Sequence, residues 1–154
     1  MFYIIDKAGL LESVEEEVSH IADSAYGEDG SSLYDSIVIT EKDRQNVLRF
    51  IDDAVTDFVR KRAFDICKYS PETYQDEAGE WQLSGRMRLQ FYVPDFDETM
   101  WDATKAALDR YIVLYAVGSL CQSRRADLVP EYAKRTQEAQ DNAIILLKSR
   151  KYPE

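Results

Sequence analysis

Residues 84–96 read SGRMRLQFYVPDF, and their periodicity differs from that of the flanking segments. From position 87 onward, apolar side chains occupy every second position, and polar side chains fill most of the places between them. A period of two puts the two sets on opposite faces of a β-strand. The apolar set consists of Met87, Leu89, Phe91 and Val93. We predict that this set faces the core, and that Arg86, Arg88 and Tyr92 face outward.

The strand belongs to an irregular insertion that spans residues 71–95. Asp76–Glu80 combines acids with a glycine and predicts a loop or a hairpin turn. Pro94 ends the strand, because proline belongs at strand ends or sheet edges. The backbone groups of a single strand or hairpin must be paired or covered. Two arrangements therefore stay open: pairing with a neighbouring subunit, or a hairpin that folds onto the protein's own helices.

Two helices are predicted before this insertion. The first covers residues 7–26, with apolar residues on one face and Asp6 as its N-cap. The second opens at Thr40–Asp43, a capping-box pattern in which Asp replaces the usual Glu or Gln. Its apolar residues recur at spacings of three and four, and we expect it to end at Ser70 because Pro71 follows.

Two more helices are predicted after the insertion. The third begins at Asp95 or Asp97 and runs to about Arg124, and it is apolar nearly all round, which predicts a central position. The fourth begins near Asp127 or Pro130 and runs to a basic tail. The predicted fold class is mainly α. Four helices form a bundle-like domain, and a small β-hairpin or ribbon is inserted between the second and third.

Length and composition fit one domain over residues 1–154 with a core of its own. No apolar run reaches the roughly 18 residues that a membrane span needs. The first residues carry early acids and no basic start, unlike a secretory signal. We therefore expect no membrane association and no secretion. Cys67 and Cys121 are expected to be reduced, buried thiols.

The net charge of −10 is unevenly placed. The acidic N-terminal helix and loop, residues 1–36, hold nine acids against one lysine, and residues 71–97 hold six acids against two arginines. A phosphate-binding footprint needs clustered Lys and Arg. The charge pattern therefore argues against sequence-specific binding of nucleic acid.

Three basic clusters fall in the last turns of predicted helices, at residues 60–62, 124–125 and 148–151. The helix dipole favours positive charge there, so the simplest interpretation is a helix-end and solubility role. The alternative is a partner surface, for which the first cluster is best suited. The candidate subunit contacts are Arg60, Arg62, Arg86, Arg88 and Tyr92.

Glu17 and His20 have the E-x-x-H spacing that puts two ligands on one helical face, as in di-iron bundles. Such sites need a second copy of the motif, and this chain has one histidine. The sequence has no zinc spacing and none of the glycine-rich phosphate, dinucleotide or nucleophile motifs. We expect no catalytic residue, no metal and no cofactor. A metal or acid–base enzyme centred on Glu17 and His20 is the remaining enzymatic hypothesis.

The order of elements resembles that of a known family. A capped helix (TEKDRQNVLRFIDDAVTDFVRKRAF) precedes the insertion, and a hydrophobic helix (WDATKAALDRYIVLYAVGSLCQSR) follows it. A final helix ends in a short basic tail (YAKRTQEAQDNAIILLKSRKYP). This layout resembles the small helical head–tail connector proteins, or head-completion adaptors, of tailed bacteriophages and prophages. The resemblance covers about residues 37–153, and the acidic first 36 residues and the longer insertion depart from it.

The resemblance implies a structural virion protein without catalysis. Its copies would form a homo-oligomeric ring below the portal, with portal and tail proteins as partners, in the virion or the host bacterial cytoplasm. An acidic channel suits the passage of DNA, because repulsion keeps the DNA from sticking. Arg86, Arg88 and Tyr92 would then meet an acidic stretch such as Glu12–Glu17 on the adjacent subunit. The alternative is a small bacterial helical protein that binds or regulates a partner without catalysis.

Overall fold

A computed structural model describes residues 1–151, with backbone only at residues 36, 72–74 and 83–85. Five helices and three strands follow one another along this part of the chain. In order they are β1 (Phe2–Asp6), α1 (Lys7–Asp23), α2 (Tyr34–Ile37), α3 (Arg44–Arg62), β2 (Cys67–Gln75), β3 (Trp81–Phe91), α4 (Trp101–Arg124) and α5 (Val129–Leu147). The predicted class, mainly α with a small β element between the second and third long helices, is confirmed.

Side chains cap the helices near the positions that the sequence predicts. The Asp6 carboxylate accepts a hydrogen bond from the Ala8 N–H at 3.1 Å at the start of α1. The Asp43 carboxylate accepts from the Thr40 N–H at 2.8 Å, so aspartate can replace Glu or Gln in this box. Each cap satisfies a backbone donor that the first helical turn leaves without a partner.

The predicted end of the second long helix is wrong. Helix α3 ends at Arg62 rather than Ser70, and Cys67–Gln75 forms strand β2. The Ala63 N–H makes the last bond of the helix, to the Val59 carbonyl at 3.3 Å, and the N–H groups of Ile66 and Cys67 then form a turn onto the Ala63 carbonyl, at 3.1 and 2.8 Å. Pairing of β2 with β3 then satisfies the backbone of the following residues, and this tertiary contact outweighs their helical spacing.

The sheet has the strand order β1-β3-β2, and both pairings are antiparallel. Strand β3 is therefore central, and over residues 86–91 both of its edges are paired within the chain. This finding contradicts the hypothesis of pairing with a neighbouring subunit for residues 86–91 of the ribbon, because β1 and β2 occupy both edges there. Strand β1 was not predicted, because its five residues precede the helical periodicity without a turn signal.

One face of the sheet packs against the helices. Met87, Leu89 and Phe91 are buried on this inner face as predicted, together with Tyr3 and Ile5 of β1, while Val93 is partly buried. Phe91 meets Trp101 edge to face, with ring centroids 5.8 Å apart. The sheet thus forms one layer and the helices a second layer, with the core between them.

Helix α4 is the centre of the helical layer, as predicted, and packs on α1, α3 and α5. Most of its side chains between residues 107 and 121 are buried. The Tyr111 hydroxyl donates to the Ala54 carbonyl oxygen at 3.0 Å and ties α4 to α3. A Cβ atom at Gly118 would lie 3.4 Å from the Cβ of Tyr132, which is the short end of ordinary van der Waals contact, so α5 passes close to α4 at this glycine.

Arg124 has a structural role beyond that of a helix-end charge. Its guanidinium donates to the carbonyl oxygens of Ile37 and Val38, each at 3.0 Å, and pairs with Asp43 at 2.6 Å. The hydrogen bond from Arg124, with those from Thr40, lowers the pKa of Asp43 to about 2. This network attaches the segment before α3 to the end of α4.

Both cysteines are free and buried, as predicted. Burial raises the pKa of Cys67 to about 12, so its thiol stays protonated near neutral pH. Within residues 1–151, no helix is long and apolar enough to cross a membrane.

Candidate protein-binding surfaces

The distal half of the β2–β3 hairpin extends past the rest of the sheet. Strand β1 pairs with residues 86–90 of β3, whereas the β2–β3 pairing continues to the pair of Gln75 with Trp81. The register shifts between Pro71 and Thr73, where this extension begins. We call residues 73–83 the hairpin arm. As predicted, its turn lies within residues 76–80.

The hairpin arm offers an exposed aromatic side chain beside an acidic tip. Trp81 is 70 % exposed, although tryptophan side chains are on average highly buried. The tip carries Asp76, Glu77 and Glu80, and the Asp76 carboxylate accepts from the Glu80 N–H at 2.9 Å. Gly79 has a φ of 81°, a conformation that glycine adopts without strain. The hydrogen bond and the glycine therefore give the tip of the arm a defined turn.

The outer face of the sheet collects three of the predicted contact residues. Arg86 and Arg88 point outward, as predicted, and Tyr92, just beyond β3, is also exposed. The Arg88 guanidinium stacks 3.9 Å from the ring centroid of Phe2, which is a cation–π contact within the chain. The Lys68 ammonium lies 5.9 Å from the Tyr92 ring centroid. This outer face is therefore basic and aromatic.

The other two predicted contact residues belong to the helical layer. Arg60 is exposed at the end of α3. Arg62 instead donates to Asp141 at 2.7 Å and to the buried Gln140 at 3.0 Å, and it joins α3 to α5. The hydrogen bond from Arg62 holds the pKa of Asp141 below its usual range. A structural role for Arg62 within its own chain is the direct interpretation of these bonds.

The acidic stretch predicted to meet the outer face is also engaged within the chain. Glu15 pairs with Arg44 at 3.0 Å, and Glu17 accepts from the Tyr132 hydroxyl at 3.2 Å. These contacts link α1 to the elements around it. They leave Glu12 and Glu16, both exposed, as the acids of this stretch that are best placed to meet another molecule.

A groove of about 720 Å³ lies between α1, α4 and strand β1. Tyr3 points to the inner face of the sheet and Ile4 to the outer face, and both line the groove. Because β3 occupies the other side of β1, the groove must run along the free edge of β1. We call it the β1 groove. Its other lining residues are Asp6, Gly9, Leu10, Ser13, Glu16, Glu17, His20, Ala106, Asp109, Arg110 and Val113.

The β1 groove contains a carboxylate without a cation. Asp109 is partly buried, and no residue in the described part of the chain makes a hydrogen bond or ion pair with its carboxylate. Burial raises its pKa to about 6. By contrast, Arg110 lies 3.9 Å from Glu17, and Glu16 lies 4.0 Å from His20. With four carboxylates and one arginine, the groove attracts positive charge.

The E-x-x-H residues, Glu17 and His20, do not meet further metal-ligating side chains. Residues 1–151 with described side chains contain no group of three His, Cys, Asp or Glu placed to hold a metal ion. Glu17 contacts Tyr132 and Arg110, and His20 is exposed on the rim of the groove.

The signal for the groove lay in the sequence in two separate places. The alternation in FYIID (2–6) is typical of a strand, and Asp109 is an acid just before the most apolar part of helix α4. Neither feature indicates by itself that the two lie side by side. Comparison of the chain with protein-family models, with curated proteins and with solved structures finds no match.

Proposed function

We propose that this protein is a structural assembly subunit without catalysis, of the head–tail connector type, whose copies form a ring through which DNA passes. The hairpin arm is the observation that carries the proposal. It extends past the sheet and exposes Trp81 to solvent, and burial of such an aromatic side chain is a major source of binding energy at protein interfaces. An arm of this kind fits a contact with the next subunit.

Two further observations support this proposal. Helices α3, α4 and α5, with the insertion between the first two, follow the same order as in the head–tail connectors that the sequence resembles. The net charge of −10 suits a DNA channel lined with acids. The portal protein on one side and a tail protein on the other are the partners that this function requires.

The proposal is tested by measuring mass in solution and fluorescence together. The chain has two tryptophans, and Trp101→Phe leaves Trp81 as the reporter. Static light scattering after gel filtration, from low to high micromolar protein, should show a discrete oligomer. The emission of Trp81 should shift to the blue as the oligomer forms, because the indole leaves water. Electron microscopy of the same sample should show rings.

A matched pair of variants locates the contact. Trp81→Ala should shift the mass toward the monomer, whereas Phe64→Ala, at an aromatic residue that is 76 % exposed elsewhere, should leave it unchanged. A chain that stays monomeric at all concentrations, alone and with the portal protein, would contradict the ring. The second candidate function, binding of a partner by a small helical protein, is favoured by the open edge of β1.

A further inference from the structure

The free edge of β1 has backbone hydrogen-bonding groups that no described residue of the chain bonds to. The Phe91 N–H donates to the Met1 carbonyl at 2.8 Å, and the Met1 nitrogen donates to the Phe91 carbonyl at 3.1 Å. Bonded and non-bonded pairs alternate along an antiparallel ladder. Tyr3 and Ile5 therefore bond to β3, while the N–H and C=O groups of Phe2 and Ile4 point toward the free edge. Within residues 1–151, nothing else bonds to these four groups.

The two sides of this edge differ in chemistry. On the outer side, the side chains of Phe2 and Ile4 are 48 % and 43 % exposed. On the helical side lies the acidic β1 groove, in which Glu16 and Asp109 face the solvent-filled space. A strand that pairs with β1 would turn alternate side chains to these two sides. One set would contact apolar groups, and the other set would contact carboxylates.

We propose that the free edge of β1 binds an extended segment of another protein in which basic and apolar residues alternate. The segment adds a fourth strand to the sheet, its Lys or Arg side chains reach Glu16 and Asp109, and its apolar side chains cover Phe2 and Ile4. The site lies apart from the hairpin arm, so the proposal stands whether or not the chain forms a ring.

Charge selects a foreign segment over a second copy of this chain. Strand β1 reads FYIID, which has an acid and no base, and each copy has its own acidic groove beside it. Pairing of β1 with β1 of a second copy would therefore bring like charges together, and the chain as a whole carries −10. A basic segment gains from both the groove and the overall charge.

The test uses a fluorescein-labelled, acetylated peptide of nine residues in which lysine and valine alternate. Fluorescence anisotropy with the full chain should show saturable one-to-one binding that weakens as salt rises. A peptide of the same composition with its lysines grouped at one end should bind at least 10-fold more weakly, because it cannot match the two sides. Equal binding of both peptides would reduce the interaction to charge alone and overturn the proposal.

Two changes test the backbone contact directly. Ile4→Pro removes an outward N–H without removing a bond to β3, and Ile4→Ala is its control for the lost side chain. We expect Ile4→Pro to weaken binding at least 10-fold relative to Ile4→Ala. If Ile4→Pro unfolds the chain, the peptide is changed in place of the protein. Two versions of the lysine–valine peptide, each N-methylated at one alternate set of its amides, are then tested for binding to the unmodified protein. One of the two methylation patterns should abolish binding, and equal binding of both patterns overturns strand addition.

Two further variants test the groove. Glu16→Gln and Asp109→Asn should each weaken binding of the lysine–valine peptide several-fold. Glu12→Gln, at a residue outside the groove lining, should leave binding unchanged. Equal effects of all three variants would place the peptide elsewhere on the acidic surface. Gel filtration without peptide supplies one more check. A dimer that Ile4→Pro converts to a monomer would show that a second copy occupies the edge, and would also overturn the proposal.

Discussion

The two edges of the three-stranded sheet differ in how far they are closed to another strand. Over residues 67–71 of β2, the residues whose backbone N–H and C=O groups point away from β3 are Cys67, Tyr69 and Pro71. The Cys67 N–H is bonded to the Ala63 carbonyl, and proline has no N–H. The N–H of Tyr69 is therefore the donor of this stretch that stays available at the free edge of β2. On β1, both Phe2 and Ile4 keep their donors and acceptors.

The comparison indicates that edge protection in this sheet is selective. Strand β2 combines a proline, a register shift and a lysine, which are the devices that sheets use against edge pairing. Strand β1 has none of them and lies beside an acidic groove. An edge that is left open next to a charged groove is suited to a partner, whereas the blunted edge is not.

The largest effect is expected in the central strand that both edges share. Phe91→Ala should lower the free energy of unfolding by about 3–5 kcal/mol, because the ring is fully buried against Trp101. Tyr92→Ala, next to it but exposed, should cost less than about 1 kcal/mol. Urea denaturation followed by circular dichroism measures both. A larger loss for Tyr92→Ala would mean that the inner and outer faces have been exchanged.

A proline substitution in β2 tests which of its N–H groups point toward β3 and which point toward the free edge. Lys68 lies between two residues whose backbone groups point away from β3, so its own N–H points toward β3 and bonds to Gln90. Lys68→Pro should cost about 2–3 kcal/mol more than Lys68→Ala, because it removes a ladder bond and leaves a carbonyl without its donor. Thermal and urea unfolding of the two variants give the difference. Equal stabilities would show that the Lys68 N–H points away from β3, and that the edge of β2 is open to another strand.

Asp109 connects the β1 edge to pH. Its pKa of about 6 lies above the ordinary 3.8, so the folded state holds this proton more tightly than the unfolded state. Stability therefore falls as pH rises from about 4 to about 7. Asp109→Asn should remove this loss and raise stability at pH 7.5 by about 1–2 kcal/mol, since the side chain is still partly solvated. At pH 4 the two proteins should differ little, and a pH-independent difference would contradict the burial argument.

The smallest effect is expected on the outer face. Arg88→Ala should lower stability by about 0.5–1 kcal/mol through loss of the stacking on Phe2, which is half exposed. Arg60→Ala, at an exposed position on α3, is the control and should change stability by less than about 0.5 kcal/mol. Differential scanning calorimetry resolves such a difference. No change in Arg88→Ala would show that the stacked arginine is held weakly and is free to contact another molecule.

Much of the fold could be predicted from local patterns. The inner face of β3, the turn at residues 76–80 and both N-caps follow from periodicity and cap chemistry, which depend on neighbouring residues. Strand β1 was missed because five residues that run directly into a helix give no turn signal. The end of α3 was misplaced because the apolar spacing continues through Ala63 and Ile66, while pairing with β3 decides the conformation.

The candidate sites depend on contacts between distant segments and were therefore harder to predict. Arg86, Arg88 and Tyr92 could be placed outward from the strand period alone. The role of Arg62 could not, because its partners Gln140 and Asp141 lie about eighty residues further along the chain. The β1 groove is formed by a strand that was missed and by a helix a hundred residues away, so no local pattern defines it.

Residue-resolved hydrogen exchange of the amides in β1 tests the central claim most directly. In the free protein, NMR should show slow exchange at Tyr3 and Ile5 and fast exchange at Phe2 and Ile4, and dilution should not alter this alternation. Addition of the alternating lysine–valine peptide should slow exchange at Phe2 and Ile4 and leave Tyr69 of β2 unchanged. Slow exchange at Phe2 and Ile4 without peptide, or protection of Tyr69 in their place, would contradict the account of one open and one closed edge.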